Sequence, residues 1–141
     1  MNSKKIINIV HKDILYSTIF DLQNINDGLD FITEDDSFIQ VGTWNYKKGR
    51  ILQAHYHNKF ERKAYRTQEL VFVVDGEITC NLYTEGGDFF KSLKIFKNQL
   101  IIQYQGVHEY VIDEDSKILE VKNGPYFGTE KDRTRINVKK D

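Results

Sequence analysis

The feature that most constrains this chain is a recurrence of short runs rich in Ile, Val, Phe, Tyr and Thr, set between turn-forming residues. The runs are IINIV, ILYSTIF, FIQVGTWNY, RILQAHYH, ELVFVV, EITCNLYT, FFKSLKIF, QLIIQY, VHEYVI and KILEV. Between them stand Lys48-Gly49, Asp75-Gly76, Glu85-Gly86-Gly87-Asp88, Asp113-Glu114-Asp115 and Asn123-Gly124, side chains that suit tight turns. No stretch sustains a helical period. The pattern therefore predicts an all-β chain of about ten short antiparallel strands in a sandwich or barrel.

Nothing in the sequence divides the chain. There are no repeats or low-complexity tracts, and the single proline, Pro125, lies near the C-terminus. With 141 residues a core can be buried without disulfides or a structural metal, so residues 1–141 are expected to form one domain. Within it, residues 1–30 read as N-terminal strands, 40–122 as the main barrel, and 123–141 as a C-terminal turn and tail.

Charge narrows the partners. Twenty Lys and Arg stand against 21 Asp and Glu, so bulk electrostatics will not recruit nucleic acid or an anionic membrane. The apolar run at the N-terminus is too short for a signal peptide or a span, and a lone cysteine makes no internal disulfide, so a cytoplasmic location is expected. Cys80 falls in phase with Ile78 and Leu82, which suits a small buried hydrophobe better than a nucleophile.

Strand phase then picks out a set of polar residues. If RILQAHYH is a strand, Ile51, Gln53, His55 and His57 share one face, because side chains alternate. Glu69 is in phase with Val71 and Val73, and His108 with Tyr110 and Ile112. Each of these polar groups begins or ends an otherwise apolar face, an arrangement that places them at the mouth of a barrel. His11 has no such company and reads as a solvated or hydrogen-bonded histidine.

The spacing Gly49, His55-x-His57, Glu69, Gly76 resembles the first motif of the cupin superfamily, and NQLIIQYQGVHEY resembles the second. Residues 40–136 together look like a subgroup of small single-domain cupins from bacterial surface-polysaccharide and nucleotide-sugar gene clusters. The resemblance implies a jelly-roll β-barrel with a divalent metal held by His55, His57, Glu69 and His108. Three imidazoles and a carboxylate leave an octahedral ion with open positions, which suits catalysis or ligand binding. Nitrogen and oxygen donors without thiolate fit Fe, Mn, Ni, Co or Zn alike. The plain alternative is that His55 and His57 are ordinary pocket or surface residues.

Between the histidines and Glu69 lies NKFERKAYRTQ, 11 residues and longer than the motif usually has. A solvated charged loop is its ordinary reading. Its functional reading is that Arg62 and Arg66 grip an anionic part of a substrate, with Tyr65 as a stacking surface; the two arginines would share a face if the loop made a helical turn. Gln40, Gln53, Gln68 and Gln103 stand out among apolar strand residues, and buried amides need partners, so each is a candidate to bind ligand or to orient a histidine. Gln53 leads, sharing the histidines' face. Tyr126 and Phe127 follow the Asn-Gly-Pro turn and could cover the barrel or a partner subunit. A homodimer is the expected assembly.

The resemblance implies a metal-dependent enzyme acting on a carbohydrate, a nucleotide-linked or phosphorylated sugar, by isomerisation or epimerisation. The metal would polarise a carbonyl or hydroxyl, with Glu61 or Tyr110 moving the proton. The rivals are an Fe(II) dioxygenase, a sugar-binding or regulatory module without turnover, and a metal-free epimerase with His55 as base.

Overall fold

In a computed structural model, residues 5–138 are described. Among them ten strands form, all paired antiparallel: β1 (Ile6–His11), β2 (Ile14–Asp21), β3 (Gly28–Phe31), β4 (Gly42–Asn45), β5 (Glu69–Asp75), β6 (Glu77–Tyr83), β7 (Phe89–Phe96), β8 (Gln99–Gln103), β9 (Val107–Ile112) and β10 (Lys117–Lys122). A 3-10 turn at Leu22–Asn24 and a four-residue helix, α1 (Thr129–Asp132), complete the regular structure.

Two sheets face each other, one ordered β1-β2-β8-β5-β10 and the other β7-β6-β9. Between them Ile19, Val71, Val73 and Ile101 from the first meet Ile78, Cys80, Leu82 and Ile95 from the second, forming a continuous apolar layer. The outer face of the larger sheet is covered too. Phe20, Leu70, Leu100 and Ile102 pack under Ile32, Ile39 and Tyr104. Burial on both faces accounts for the unbroken apolar runs ELVFVV and QLII, which would alternate with polar residues if one face met water. The Asp75-Gly76 turn needs its glycine: φ is +96°, and a Cβ there would lie 2.6 Å from the Asp115 carbonyl oxygen.

The two ends of this sandwich differ. Beside β1 and β2 it is shut by rings, His11 stacking on Phe90 at 4.5 Å between centroids and Tyr16 meeting the same ring at 4.7 Å. At the opposite end β9 pairs only with β6, and β10 only with β5. The sheets therefore do not close into a barrel among the described residues.

The departures from the sequence reading lie at this open end. Residues 50–57, expected to be a strand, pair with nothing, and 51–65 are exposed throughout. Alternating apolar residues specify a strand only where a neighbouring strand accepts the backbone hydrogen bonds, and the described residues offer the segment none. The run FIQVGTWNY is a strand only over Gly42–Asn45, where it pairs with β3, a strand the apolar pattern did not announce. Together β3 and β4 form an arm rooted by Ile32 and Ile39 in the core; the backbone N–H groups of Phe38 and Ile39 donate to Gln68 Oε1 at 2.7 and 3.2 Å.

Candidate functional site

The open end encloses a cavity of about 1290 Å³ between the sheets, with the C-terminal tail along one wall. Strand phase supplies its floor. Glu69 heads β5, His108 is the second residue of β9, and the facing of the two sheets brings them together: His108 Nε2 donates to Glu69 Oε1 at 2.8 Å. The other ring nitrogen, Nδ1, is buried and has no hydrogen-bond partner. Buried polar atoms are seldom left so.

A third group completes the cluster. Glu120, on β10, hydrogen-bonds Glu69. Burial opposes ionisation of Glu69, but the bond and charge of His108, with help from Glu120 and Lys122, outweigh it and hold its carboxyl below the ordinary value. The shared hydrogen bond with Glu69, then burial and the Glu69 charge, push Glu120 the other way. The pair is thus driven apart, Glu69 toward easier ionisation and Glu120 toward harder. In KILEVK Glu120 shares a face with Ile118 and Lys122, the alternation that singled out Glu69, but the sequence reading did not pick it out.

Tyr110 lines the cavity two residues beyond His108. Its hydroxyl accepts a hydrogen bond from Gln103 Nε2 at 3.0 Å, and burial, with the neighbouring Cys80, raises its pKa well above the ordinary phenol value. It is therefore a neutral phenol, able to donate a hydrogen bond but not to act as a standing base. Gln103 also reaches Cys80 Sγ at 3.3 Å and accepts from the Ser17 hydroxyl, so this amide ties the two sheets together where they meet the cavity. Gln68 and Gln40 are likewise structural. Gln68 receives the Phe38 and Ile39 amides, and Gln40 Nε2 donates to the carbonyls of Glu34, Asp35 and Ser37.

The remaining expected residues lie elsewhere. His55 and His57 are exposed in the unpaired segment, their rings 5.2 Å apart and edge to face, with His55 Nδ1 3.0 Å from the Gln53 carbonyl oxygen. The Gln53 side chain is exposed with them. Within one chain, then, only Glu69 and His108 of the four expected ligands meet, and among the described residues no three of His, Cys, Asp and Glu converge to hold a metal ion. Glu61 is exposed on the same segment. Arg62 lies over the Phe60 ring at 3.9 Å, away from the cavity, and the expected helical turn joining it to Arg66 does not form.

Arg66 and Tyr65 do reach the cavity rim. Arg66 Nη1 is 3.5 Å from both Glu85 Oε1 and Gln105 Oε1, and the Tyr65 ring meets Phe38 edge-on at 4.8 Å. The tail adds cations the sequence reading passed over: Lys131, Arg133 and Arg135 line the cavity, along with Lys122. Asp132 fastens the tail there, accepting from the Thr67 hydroxyl at 2.5 Å and lying 3.7 Å from Lys122 Nζ. Phe127 is at the rim as well, while Tyr126 is held by Thr129 at 2.9 Å. No helix among the described residues is long and apolar enough to cross a membrane. Compared with known proteins, the chain matches no family model, no curated protein and no solved structure.

Proposed function

We propose that this chain is a cupin-type enzyme that isomerises or epimerises a nucleotide-linked or phosphorylated sugar, with His55, His57, Glu69 and His108 holding a divalent metal. The observation that carries this reading is the joint presence, in one cavity, of a proton-handling cluster and a basic wall. Glu69, His108 and Glu120 stand on the floor while Arg66, Lys122, Lys131, Arg133 and Arg135 line the rim. Guanidinium and ammonium groups suit a phosphate, and a carboxylate-backed imidazole suits proton transfer beside a carbonyl.

The donor chemistry fits the metal. His108 Nε2 and Glu69 Oε1 face each other at 2.8 Å, so an ion held by both would take the place of the proton between them, and Glu69 is ionised as a ligand must be. When bound, the ion would act as a Lewis acid on a sugar carbonyl. The chain's own residues do the rest: the cationic rim holds the phosphate, Tyr110 donates a hydrogen bond, and Glu120 carries a proton to or from the sugar. This revises the proton-transfer candidates, moving the role from Glu61 to Glu120.

A second reading is favoured by the 2.8 Å Glu69–His108 bond. It is a metal-free isomerase in which His108, oriented by Glu69, is the base. Elemental analysis of tag-free protein beside His57→Ala separates the two. Near-stoichiometric metal in the wild type and little in the variant supports the metal reading. Turnover of a sugar nucleotide by metal-stripped protein supports the other. A saturable sugar-nucleotide interaction without turnover under any metal selects a binding module, and iron-dependent oxygen consumption selects a dioxygenase.

A further inference from the structure

We propose that the arm carrying residues 42–57 belongs on a second copy of this chain, where it adds a strand to the open β9 edge and brings His55 and His57 to the partner's Glu69 and His108. The exchange of strands stands on backbone pairing alone; the completion of the site rests on the metal-site reading above.

Three observations lead to it. The first is a mismatch between sequence and surroundings. Ile51, Tyr56 and Phe60 are 85%, 84% and 62% exposed, and Trp44 and Leu29 on the arm are 63% and 52% exposed. A patch of that kind on a lone chain is an interaction surface. The second is that the sandwich lacks what the arm offers. The edges of β9 and β10 flank the same cavity, and their apolar residues Ile112 and Leu119 are 59% and 54% exposed. Unpaired edges of this sort take up a strand from another chain. The chain leaves its own core after Ile39 and is buried again only from Gln68 and Leu70, and between these points residues 50–57 pair with neither edge among the described residues.

The third observation is charge and register together. The tip of the arm is Lys47-Lys48-Gly49-Arg50, and the turn joining β9 to β10 is Asp113-Glu114-Asp115-Ser116. Laying the basic tip against a partner's acidic turn sets Arg50 beside Asp113. Continuing antiparallel from that pair puts His55 opposite His108 and His57 opposite Gly106. Directly opposite residues point to the same face, and His108 points into the cavity toward Glu69, so both arm histidines would enter it. The motif spacing that a single chain leaves unassembled is met across two chains, by a reciprocal exchange that closes as a twofold dimer.

Sedimentation, photo-cross-linking and subunit mixing test this in sequence. The wild type should sediment as a dimer at micromolar concentration, and reversing the tip charges (Lys47→Glu with Lys48→Glu and Arg50→Glu) should weaken the dimer at least tenfold. Benzoylphenylalanine at Leu52 should give a cross-linked band of two chains, joined to peptides of residues 107–112. A monomeric wild type, a band of one chain only, or a dimer cross-linked elsewhere overturns the exchange. These readouts need no metal, so they stand or fall apart from the metal reading. If the wild type does bind metal, His57→Ala and Glu69→Ala proteins should each be depleted. Unfolded and refolded together, they should recover about a quarter of the wild-type content, because half the dimers are mixed and each of those has one intact site. No recovery, with both variants dimeric and the cross-link present, overturns the shared site.

Discussion

Glu69 and His108 are 39 residues apart and form a 2.8 Å hydrogen bond; His55 and His57 are two apart and meet only each other and the nearby Gln53 carbonyl. Both pairs are equally well phased in the sequence. The difference lies in what surrounds them. Glu69 begins a strand paired on both sides, by β8 and β10, and His108 lies on a strand laddered to β6, so each side chain's direction is fixed by neighbours. The segment with His55 and His57 has no ladder. Side-chain phase decides which way a residue would point, and strand pairing decides where that direction leads.

Glu69→Ala should break this comparison most strongly. It removes the acceptor of the His108 N–H and the ionised neighbour of Glu120, leaving a second orphaned nitrogen in a largely buried ring. Activity should fall by at least about 100-fold, as for loss of an essential proton-handling group, and stability by about 2 kcal/mol, as for a lost hydrogen bond to a charged group. Turnover and a urea titration check both. His57→Ala should separate the pairs: metal content collapses while the urea midpoint of the metal-free protein stays within error, because the ring is exposed and meets only His55. Equal destabilisation by the two substitutions would mean that His57 is already packed in the free chain.

What the sequence made legible follows the same division. Nine of the ten apolar runs contain strands, because a five-stranded sheet whose central strands are buried on both faces and a laddered three-stranded sheet reward the alternation and apolar content that mark a strand. RILQAHYH carries the same local signal and has no partner within the chain, information that no local pattern contains. Strand β3, GLDF, is too short and too polar to stand out, and exists by pairing with β4. At the site, Glu69, His108, Tyr110, Arg66 and Tyr65 line the cavity. Glu120 and the tail cations did not stand out, since a charged residue in a strand or tail reads as solvated until the opposite sheet is known. The glutamines were read correctly as needing partners, but for Gln40, Gln68 and Gln103 those partners are the protein itself.

Gln103 ties the core to the site, and its loss should be felt in both. Gln103→Leu removes the partner of Ser17 and Tyr110 at a fully buried position, leaving two hydroxyls unsatisfied, at about 1–3 kcal/mol for each left without water. The urea midpoint should fall accordingly. The same variant releases the Tyr110 hydroxyl, so kcat should fall with KM little changed if that phenol donates to the reacting oxygen. An unchanged kcat in a protein that still folds would remove Tyr110 from the site.

The smallest effect is expected at Cys80, beside that same amide. Its thiol is fully buried, and desolvation, with the nearby Glu69 charge, outweighs the Gln103 hydrogen bond and pushes its pKa up to about 12. The sign follows directly: a raised thiol pKa keeps the group protonated through the physiological range, and only the thiolate attacks a disulfide reagent. Native protein should therefore show no reaction with Ellman's reagent at pH 8 over hours, and one thiol per chain should react at once in 6 M guanidinium. Fast native labelling would mean that the sandwich opens near Cys80. The core between β6 and β8 would then be no more fixed than the arm, and the contrast between the two regions would vanish.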